Sequence, residues 1–168
     1  CLCRIPGDFR VRLSSTEPGP VLTKVVDLIQ QEPKLCRFLH LPIQYGENSI
    51  LSAMRRRYTV DEFAEFAMYA DACIPGLCLG TDVIAGFPGE TQKTFDACLE
   101  TLNTLPFRYF HVFSYSPRKG TDAAVLKPRV HGRTVADRSR ILKALSREKS
   151  RDFVQRQRDE TVTLLTER

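Results

Sequence analysis

Apolar residues run with little alternation from Cys78 to Ala85, a pattern that predicts a strand buried on both faces, as in a parallel sheet. The Gly-Phe-Pro-Gly segment at 86–89 then ends the strand in a tight turn. Thr91 can cap the next helix, which we expect to run to about Thr104. Asp82 lies inside the apolar run, where a carboxylate needs a bound partner or must face the open end of a barrel.

The same succession of strand and helix patterns recurs along the rest of the chain. Apolar or alternating segments predict three further strands, at 9–15, 38–43 and 107–115. Apolar residues at helical spacing predict helices at 21–32, 60–74 and 137–158, a short helical turn at 49–54, and the entry to a last strand follows at 161–166. Strand alternates with helix four times, which favours a repeated β/α architecture with a parallel sheet.

Candidate binding residues gather where the predicted strands end. They carry hydrogen-bonding groups or are glycines: Ser15, Glu17, Gln44, Gly46, Gly86, Glu90, Tyr115, Ser116 and Arg118. In β/α folds ligands bind at the carboxyl ends of the strands, and glycine there lets a ligand approach the backbone. We therefore expect one shared site at this edge of the sheet, although each turn alone is also typical of an ordinary strand-to-helix connection.

The polar groups at these ends suit a nucleoside or an amino acid. Ser15, Glu17 and Gln44 offer hydrogen bonds to a ribose or an amino-acid moiety. The triplet Arg55-Arg56-Arg57 either binds a carboxylate or phosphate in bidentate fashion or forms a solvated turn.

The sequence gives little support for a metal site, a hydrolase triad, a nucleotide-binding loop or an aldolase-like site. His40 and His111 lie within predicted strands, where a lone histidine is more often a core residue than a metal ligand, so we predict no metal ligand in this chain. The sequence contains no Ser-His-Asp arrangement, P-loop or Gly-x-Gly-x-x-Gly motif. An aldolase-like barrel enzyme would need a phosphate-binding glycine loop or a lysine within a strand, and Lys119 instead follows the last strand in a loop.

The composition indicates a single domain with a real core, since 42% of the 168 residues are hydrophobic. No apolar segment approaches the roughly 18 residues needed to cross a bilayer, so we expect no membrane association. The six cysteines match no zinc-binding spacing, and the composition suits a reducing cytoplasm. Four of them are expected to be small core residues: Cys36, Cys73, Cys78 and Cys98. The chain starts at Cys1 and its first methionine is Met54, which favours an internal fragment.

Positive charge is concentrated late in the chain. Residues 127–158 hold eleven Lys/Arg and three Asp/Glu, whereas the whole chain has a net charge of +5. This distribution indicates either a polyanionic partner, with RNA as the leading candidate, or a solvated helix face.

Five segments of the chain, taken in order, carry a family resemblance: Arg12-Leu-Ser-Ser-Thr-Glu-Pro18, His40-Leu-Pro-Ile-Gln-Tyr-Gly46, Ile50-Leu-Ser-Ala-Met-Arg-Arg-Arg-Tyr-Thr59, Asp82-Val-Ile-Ala-Gly-Phe-Pro-Gly-Glu-Thr91 and Tyr115-Ser-Pro-Arg-Lys-Gly-Thr-Asp-Ala-Ala124. With them the chain resembles the methylthiotransferases of the radical S-adenosylmethionine superfamily over nearly its whole length. His111-Val112-Phe113 and Asp137-Arg138-Ser139 look most similar to members that act on threonylcarbamoyladenosine beside the tRNA anticodon. Members that modify isopentenyladenosine in tRNA, or an aspartate of a ribosomal protein, are the alternatives.

The resemblance implies an α/β fold, a partial (β/α)6 barrel in which residues 1–158 supply four parallel strands with their helices. Residues 159–168 would begin a truncated C-terminal RNA-binding β-barrel. S-adenosylmethionine would bind across the strand ends, in a pocket lined by Ser15, Glu17, Gln44, Arg56, Asp82, Gly86 and Tyr115. Tyr45 stands where the family usually has Ser, and Glu47-Asn48 replaces its Ser-Asp, so the turn beside the cofactor and the contact of Gln44 are open to change.

The resemblance also implies two 4Fe–4S clusters whose ligands lie upstream, because Cys1-Leu2-Cys3 does not satisfy the CxxxCxxC motif. The clusters generate a radical from S-adenosylmethionine and deliver sulfur, so this chain is expected to hold no catalytic residue and to be inactive alone. Expected partners are the anticodon stem-loop of tRNA and an electron donor such as flavodoxin, in the cytoplasm. A non-catalytic RNA-binding module that uses only residues 127–158 is the alternative of another class.

Overall fold

The computed structural model describes residues 2–17, 19–158 and 161. Its parallel sheet has the strand order β1-β2-β3, with β1 (Phe38–His40), β2 (Cys78–Ala85) and β3 (Tyr109–Ser114). The α-helices are α1 (Pro20–Gln31), α2 (Asn48–Ala53), α3 (Val60–Cys73), α4 (Gln92–Thr104) and α5 (Gly132–Arg156), and short 3-10 turns lie at Leu2–Arg4 and Asp122–Ala124. The predicted α/β class with parallel strands is confirmed. Over the described residues the sheet is open and does not close into a barrel.

The first of the predicted strands is not a strand in the structure. Val11 forms a single parallel bridge to Leu35, and Thr16 donates its N–H to the His40 carbonyl at 3.1 Å. Between these two points the chain runs beside β1 without a ladder, because Leu13 is the only apolar side chain that can hold this polar segment against the sheet. The described residues therefore form three strands where the sequence predicted four.

β1 ends at His40, earlier than the predicted end at Ile43, because a side chain takes over the hydrogen bonds of the ladder. Thr81 Oγ1 accepts the Ile43 N–H at 2.8 Å and donates to the Leu41 carbonyl at 2.6 Å. The chain rejoins β2 at Gln44 through a parallel bridge. The loop after β1 therefore lies against the carboxyl half of β2, which it contacts at Gln44.

The helices begin close to their predicted caps. Thr59 and Glu62 form the predicted capping box of α3, with the Thr59 N–H donating to Glu62 Oε2 at 2.7 Å. Thr91 caps α4, also as predicted. α5 begins at Gly132 rather than at 137, and the His131 side chain accepts the N–H that opens the helix. No helix in the part of the chain that the structure describes is both long enough and apolar enough to cross a bilayer.

One face of the sheet forms the core together with four helices. Its buried residues include Leu39, Leu79, Val83 and Phe110. The helices α1, α3, α4 and α5 contribute further buried side chains: Leu22, Val26, Ile29, Phe63, Ala67, Ala70, Phe95, Cys98, Leu102 and Leu142. The other face of the sheet carries aromatic and polar side chains, and it is this face that lines a pocket.

The cysteines within the described residues are free thiols. Cys98 is buried, as predicted for a core residue, while Cys3, Cys36, Cys73 and Cys78 are only half-buried. Burial raises the pKa of the Cys98 thiol to about 12. The predicted second domain at 159–168 lies outside the described residues apart from a single threonine, so that division of the chain stays a prediction.

Candidate functional site

β2 ends in a turn that is held from inside the protein. Gly86 adopts a φ of 80°, in the left-handed region that favours glycine, and its N–H donates to both carboxylate oxygens of Glu90 at 3.1 Å. A Cβ on Gly86 would lie 2.4 Å from a methyl group of Val135 on α5. Glycine is therefore required here so that α5 can pack against the turn, and the N–H that faces Glu90 is not free for a ligand.

Gln44 is held in a strained backbone conformation beside this turn. Its φ is 65°, which costs a non-glycine residue about 1–3 kcal/mol. Two backbone hydrogen bonds of 2.9 Å enforce it, from the Gln44 N–H to the Asp82 carbonyl and from the Ile84 N–H to the Gln44 carbonyl. Strain that is enforced in this way is typical of ligand-binding positions.

An ion pair joins two loops: the loop after the extended segment at residues 9–15 and the loop after α2. Arg56 Nη1 donates to Glu17 Oε1 at 2.7 Å. Arg56 is the one arginine of its triplet that turns inward, since Arg55 pairs with Asp122 at the exposed surface and Arg57 is exposed. The Arg56 Nε is buried and has no hydrogen-bond partner within the described chain.

Tyr115 is the first residue after β3 and lies beside the end of β2. Its N–H donates to the Ala85 carbonyl at 2.8 Å, and its ring meets Phe87 edge to face with centroids 5.3 Å apart. The Tyr115 hydroxyl is buried without a partner in the part of the protein that is described. Phe87 also lines, with Arg56 and Ile84, a cavity of about 280 Å³ that we call the strand-end pocket.

Ser15 and Asp82 lie in a second pocket, on the face of the sheet opposite the core. This inner-face pocket has a volume of about 410 Å³. Its lining includes Arg12, Ser15, His40, Asp82, Tyr109 and His111. Asp82 and Ile84 are two residues apart on one face of β2, about 7 Å, so the two pockets adjoin. Gly86 and Tyr115 line a third pocket, of about 370 Å³, beside α5. The predicted residues thus lie around the carboxyl half of β2 but do not line one common cavity.

A chain of hydrogen bonds crosses the inner-face pocket. Asp82 Oδ1 lies 3.0 Å from His40 Nε2, and His40 Nδ1 lies 3.3 Å from the Tyr109 hydroxyl. Burial raises the pKa of Tyr109, so this hydroxyl stays protonated at neutral pH. The Tyr109 ring crosses β2 above Gly80, where a Cβ would come within 2.3 Å of the ring. His40 is the partner that the Asp82 carboxylate was expected to need.

His111 belongs to the same cluster, and sequence reasoning missed it. It pairs with Asp82 in the sheet register, and its interpretation as a core residue is wrong because it is exposed in the pocket. One ligand atom from each of His40, Asp82 and His111 lies within 4.8 Å of the others. Alternate residues of aligned strands share a face, so the strand register was the signal that could have revealed the cluster.

The three side chains are of types that bind divalent metal ions. However, hydrogen bonds already satisfy His40 and Asp82. The cluster is therefore stable as a hydrogen-bonded group, and the expectation of no metal ligand in this chain stays a prediction.

The residues that depart from the family pattern have local structural roles. Tyr45 is fully buried, and burial raises its pKa. Glu47 caps α2, accepting the Ser49 N–H at 3.0 Å, and Asn48 Oδ1 accepts the Val60 N–H at 2.8 Å, which ties α2 to α3. These changes are accommodated by capping and packing next to the strained residue that precedes them.

α5 carries a row of exposed basic side chains. We call it the basic stripe: Arg133, Arg140, Lys143, Arg147 and Arg151. Successive members are three, four or seven residues apart and so share one side of the helix over about 27 Å. The opposite side of α5 holds the buried Arg138, Leu142 and Ser146. A continuous row of exposed cations is the electrostatic pattern of a polyanion-binding surface.

Comparisons with known proteins identify relatives of the chain. No protein-family model matches the chain. The chain is 34% identical to threonylcarbamoyladenosine tRNA methylthiotransferase from Bacillus subtilis over 98% of its length and 36% of that protein. It is 41% identical to a probable enzyme of the same name from Methanocaldococcus jannaschii over 89% of its length and 35% of that protein. A tRNA-2-methylthio-N(6)-dimethylallyladenosine synthase from Neisseria meningitidis is 42% identical over 73% of this chain and 28% of the relative.

Among solved structures, coproporphyrinogen III oxidase from Escherichia coli, a radical SAM enzyme, matches with a TM-score of 0.66 at 16% identity, covering 83% of this chain and 32% of that one. This likeness shows the fold. The chain spans about a third of the length of the curated relatives that it matches. The relatives' sequence identity over nearly the whole chain, together with this fold, shows that the chain belongs to the radical S-adenosylmethionine methylthiotransferase family.

Proposed function

We propose that the protein containing this chain is a tRNA methylthiotransferase that adds a methylthio group to threonylcarbamoyladenosine beside the anticodon. The observation that carries the proposal is the placement of motif residues in three neighbouring pockets around the carboxyl half of β2, where β/α folds bind their ligands. Two relatives whose names state this activity match 98% of the chain, which supports the choice of substrate.

The polar groups in and beside the strand-end pocket suit S-adenosylmethionine: Arg56 lines the pocket, and Glu17 and Tyr115 contact its lining residues. Arg56 and Tyr115 each present a buried polar atom that has no partner within the described residues, and such atoms call for a ligand or water. The Arg56 guanidinium suits the carboxylate of the amino-acid part, and the Glu17 carboxylate beside it suits the ammonium group or a ribose hydroxyl. The Tyr115 ring and Phe87 offer apolar surface beside them.

The remaining predicted residues would orient the same ligand. Gln44, whose backbone is enforced by β2, and Ser15 supply hydrogen bonds to its ribose or amino-acid part. Gly86 shapes the turn, and Asp82 is held in place through its contact with His40. When bound, S-adenosylmethionine and two 4Fe–4S clusters supply the radical chemistry and the sulfur. The residues of this chain bind and orient, and none of them is proposed to be catalytic.

The basic stripe supports a tRNA partner, since exposed arginines in a row can neutralise successive phosphates of an RNA backbone. We propose that the anticodon stem-loop of tRNA is the part that reaches the site. An electron donor such as flavodoxin and a cytoplasmic location complete the proposal.

Nucleoside analysis tests the proposed activity. In a strain that lacks the gene, mass spectrometry of tRNA nucleosides should show loss of the methylthio group from threonylcarbamoyladenosine. The full-length gene should restore it, whereas a gene carrying Arg56→Ala should not. Intact methylthio-threonylcarbamoyladenosine in the deletion strain would contradict the proposal.

Dimethylallyladenosine in tRNA is a second candidate substrate. It is favoured by the relative from Neisseria meningitidis, which is 42% identical but covers 73% of the chain. The same nucleoside analysis separates the two candidates, because this one requires loss of the methylthio group from the dimethylallyl nucleoside alone.

A further inference from the structure

Arg12 and His111 line the inner-face pocket with nitrogen donors that no group in the described residues satisfies. The Arg12 guanidinium carbon lies 5.1 Å from the centroid of the Phe38 ring, and His111 is exposed in the same pocket. Neither side chain makes a hydrogen bond or an ion pair within the described residues. The pocket's carboxylate, Asp82, is already bound to His40 at 3.0 Å.

Aromatic rings line the rest of this pocket. Phe38 and Tyr109 are stacked with centroids 6.5 Å apart, and Phe113 stays 52% exposed at the other end. Exposed aromatic faces bind nucleobases by stacking. A volume of about 410 Å³ is within the range of small-molecule sites and can hold a base with a short substituent.

The two candidate substrates differ in how such a pocket would receive them. The threonylcarbamoyl group ends in a carboxylate and a hydroxyl, whereas the dimethylallyl group is a hydrocarbon. A carboxylate accepts charge-assisted hydrogen bonds from a guanidinium and hydrogen bonds from an imidazole N–H. A hydrocarbon would instead cover Arg12 and His111 and leave both without partners, which is unfavourable.

We propose that Arg12 and His111 bind the carboxylate of the threonylcarbamoyl group and thereby select this nucleoside over dimethylallyladenosine. The inference rests on the proposed function and adds to it the two residues that determine substrate choice. His40 and Asp82 bind each other and lie beside His111 in the sheet.

Equilibrium binding tests the inference without requiring turnover. Fluorescence anisotropy would compare the full-length protein on three synthetic anticodon stem-loops that carry threonylcarbamoyladenosine, dimethylallyladenosine or adenosine at one position. We expect His111→Phe and Arg12→Met each to weaken binding of the threonylcarbamoyl RNA by about 10-fold or more, the effect of losing a hydrogen bond to a charged group. Affinity for the adenosine RNA should not change, and affinity for the dimethylallyl RNA should be unchanged or higher, because the variants remove the donors that a hydrocarbon leaves without partners. Lys24→Gln, an exposed charge on α1, is the control and should alter none of the three.

The possible results separate the inference from the function on which it rests. An unchanged ratio of affinities in a variant that circular dichroism shows to be folded would overturn the role of that residue, and the second variant tests the other. An equal loss for all three RNAs would also overturn it, because it would mean that the residues bind phosphate. A wild-type protein that binds every stem-loop no better than an unrelated hairpin would contradict the proposed function itself.

Discussion

Arg138 of α5 donates a hydrogen bond from Nη1 to Glu90 Oε1 at 2.7 Å, and both side chains are almost completely buried, at 7% and 0% exposure. Glu90 accepts the Gly86 N–H with the same carboxylate, and Arg138 also donates to Gln92 at 3.2 Å. The guanidinium lies 5.0 Å from the centroid of the Phe95 ring. This buried pair therefore connects the last helix to the turn that ends β2.

Removing one partner of this pair should destabilise the fold strongly. Arg138→Met leaves the Glu90 carboxylate buried and uncompensated, and such a loss costs about 3–5 kcal/mol. Glu90→Gln should cost less, because the amide is neutral and can still accept a hydrogen bond. Urea unfolding of the 168-residue chain measures both. In a double-mutant cycle the combined loss should be smaller than the sum, and simple additivity would contradict a direct coupling between the two side chains.

The strain at Gln44 yields a prediction in which two variants differ in stability but not in ligand binding. Gln44→Gly relieves a φ of 65°, so this variant should be more stable than Gln44→Ala by about 1 kcal/mol. Both variants lack the amide and should bind S-adenosylmethionine more weakly by a similar factor. Chemical unfolding measures the first effect, and calorimetric binding to the full-length protein measures the second. Equal stability of the two variants would mean that the backbone is not strained.

The turn after β2 was predictable because its determinants are local. A mostly apolar run from Cys78 to Ala85 precedes the glycines, and Thr91 follows at capping distance. The apolar pattern of the strand and the glycine, proline and capping residues that bound it are enough to predict such an element. The capping box at Thr59 was predictable for the same reason.

The end of β1 was not predictable, because it depends on a contact between distant segments. The Thr81 hydroxyl of β2 replaces the backbone partner of Ile43. The pattern of apolar residues at 38–43 gives no indication that Thr81 lies opposite. The missing first strand has a related cause. Its segment lies at the edge of the sheet beyond β1, where it has few apolar side chains with which to pack.

The candidate residues could be grouped from the sequence only where they follow predicted elements. Glu17 and Arg56 follow elements whose order is visible in the sequence, and the structure pairs their side chains. The association of His40 with His111 depends on the register of three strands, which the sequence alone does not determine. The inner-face pocket therefore became apparent only in the structure.

Glu47 should make the stability of the protein depend on pH. Its partial burial opposes ionisation, but hydrogen bonds from Ser49 and from the Ile50 N–H outweigh it, so its pKa lies below the ordinary value of 4.5. A carboxyl group with a lowered pKa stabilises the fold fully above its unfolded value, and this contribution is lost as pH falls through the folded value. Glu47→Gln should cost about 1 kcal/mol near pH 7, as for other helix caps, and progressively less below about pH 4.5.

Urea titrations of the wild-type chain and the variant between pH 7 and pH 3 measure this difference. Glu65→Gln, which changes an exposed carboxylate on α3, is the matched control and should show a much smaller effect. If the difference between the wild type and Glu47→Gln stayed constant down to pH 3, Glu47 would not be acting as an ionised cap.

The basic stripe predicts how tRNA binding responds to salt. Each phosphate contact that an arginine makes releases a condensed counterion, so the slope of log affinity against log salt reports the number of contacts. Replacing Arg147 and Arg151 together by Gln should lower the magnitude of that slope by about 1.5 and weaken binding to all tRNAs alike, because phosphates carry no sequence information. Filter binding by the full-length protein at several salt concentrations gives the slope. Lys24→Gln also removes an exposed charge but lies on α1, so it should leave the slope unchanged. An unaltered slope in the double variant would show that this side of α5 faces solvent in the complex.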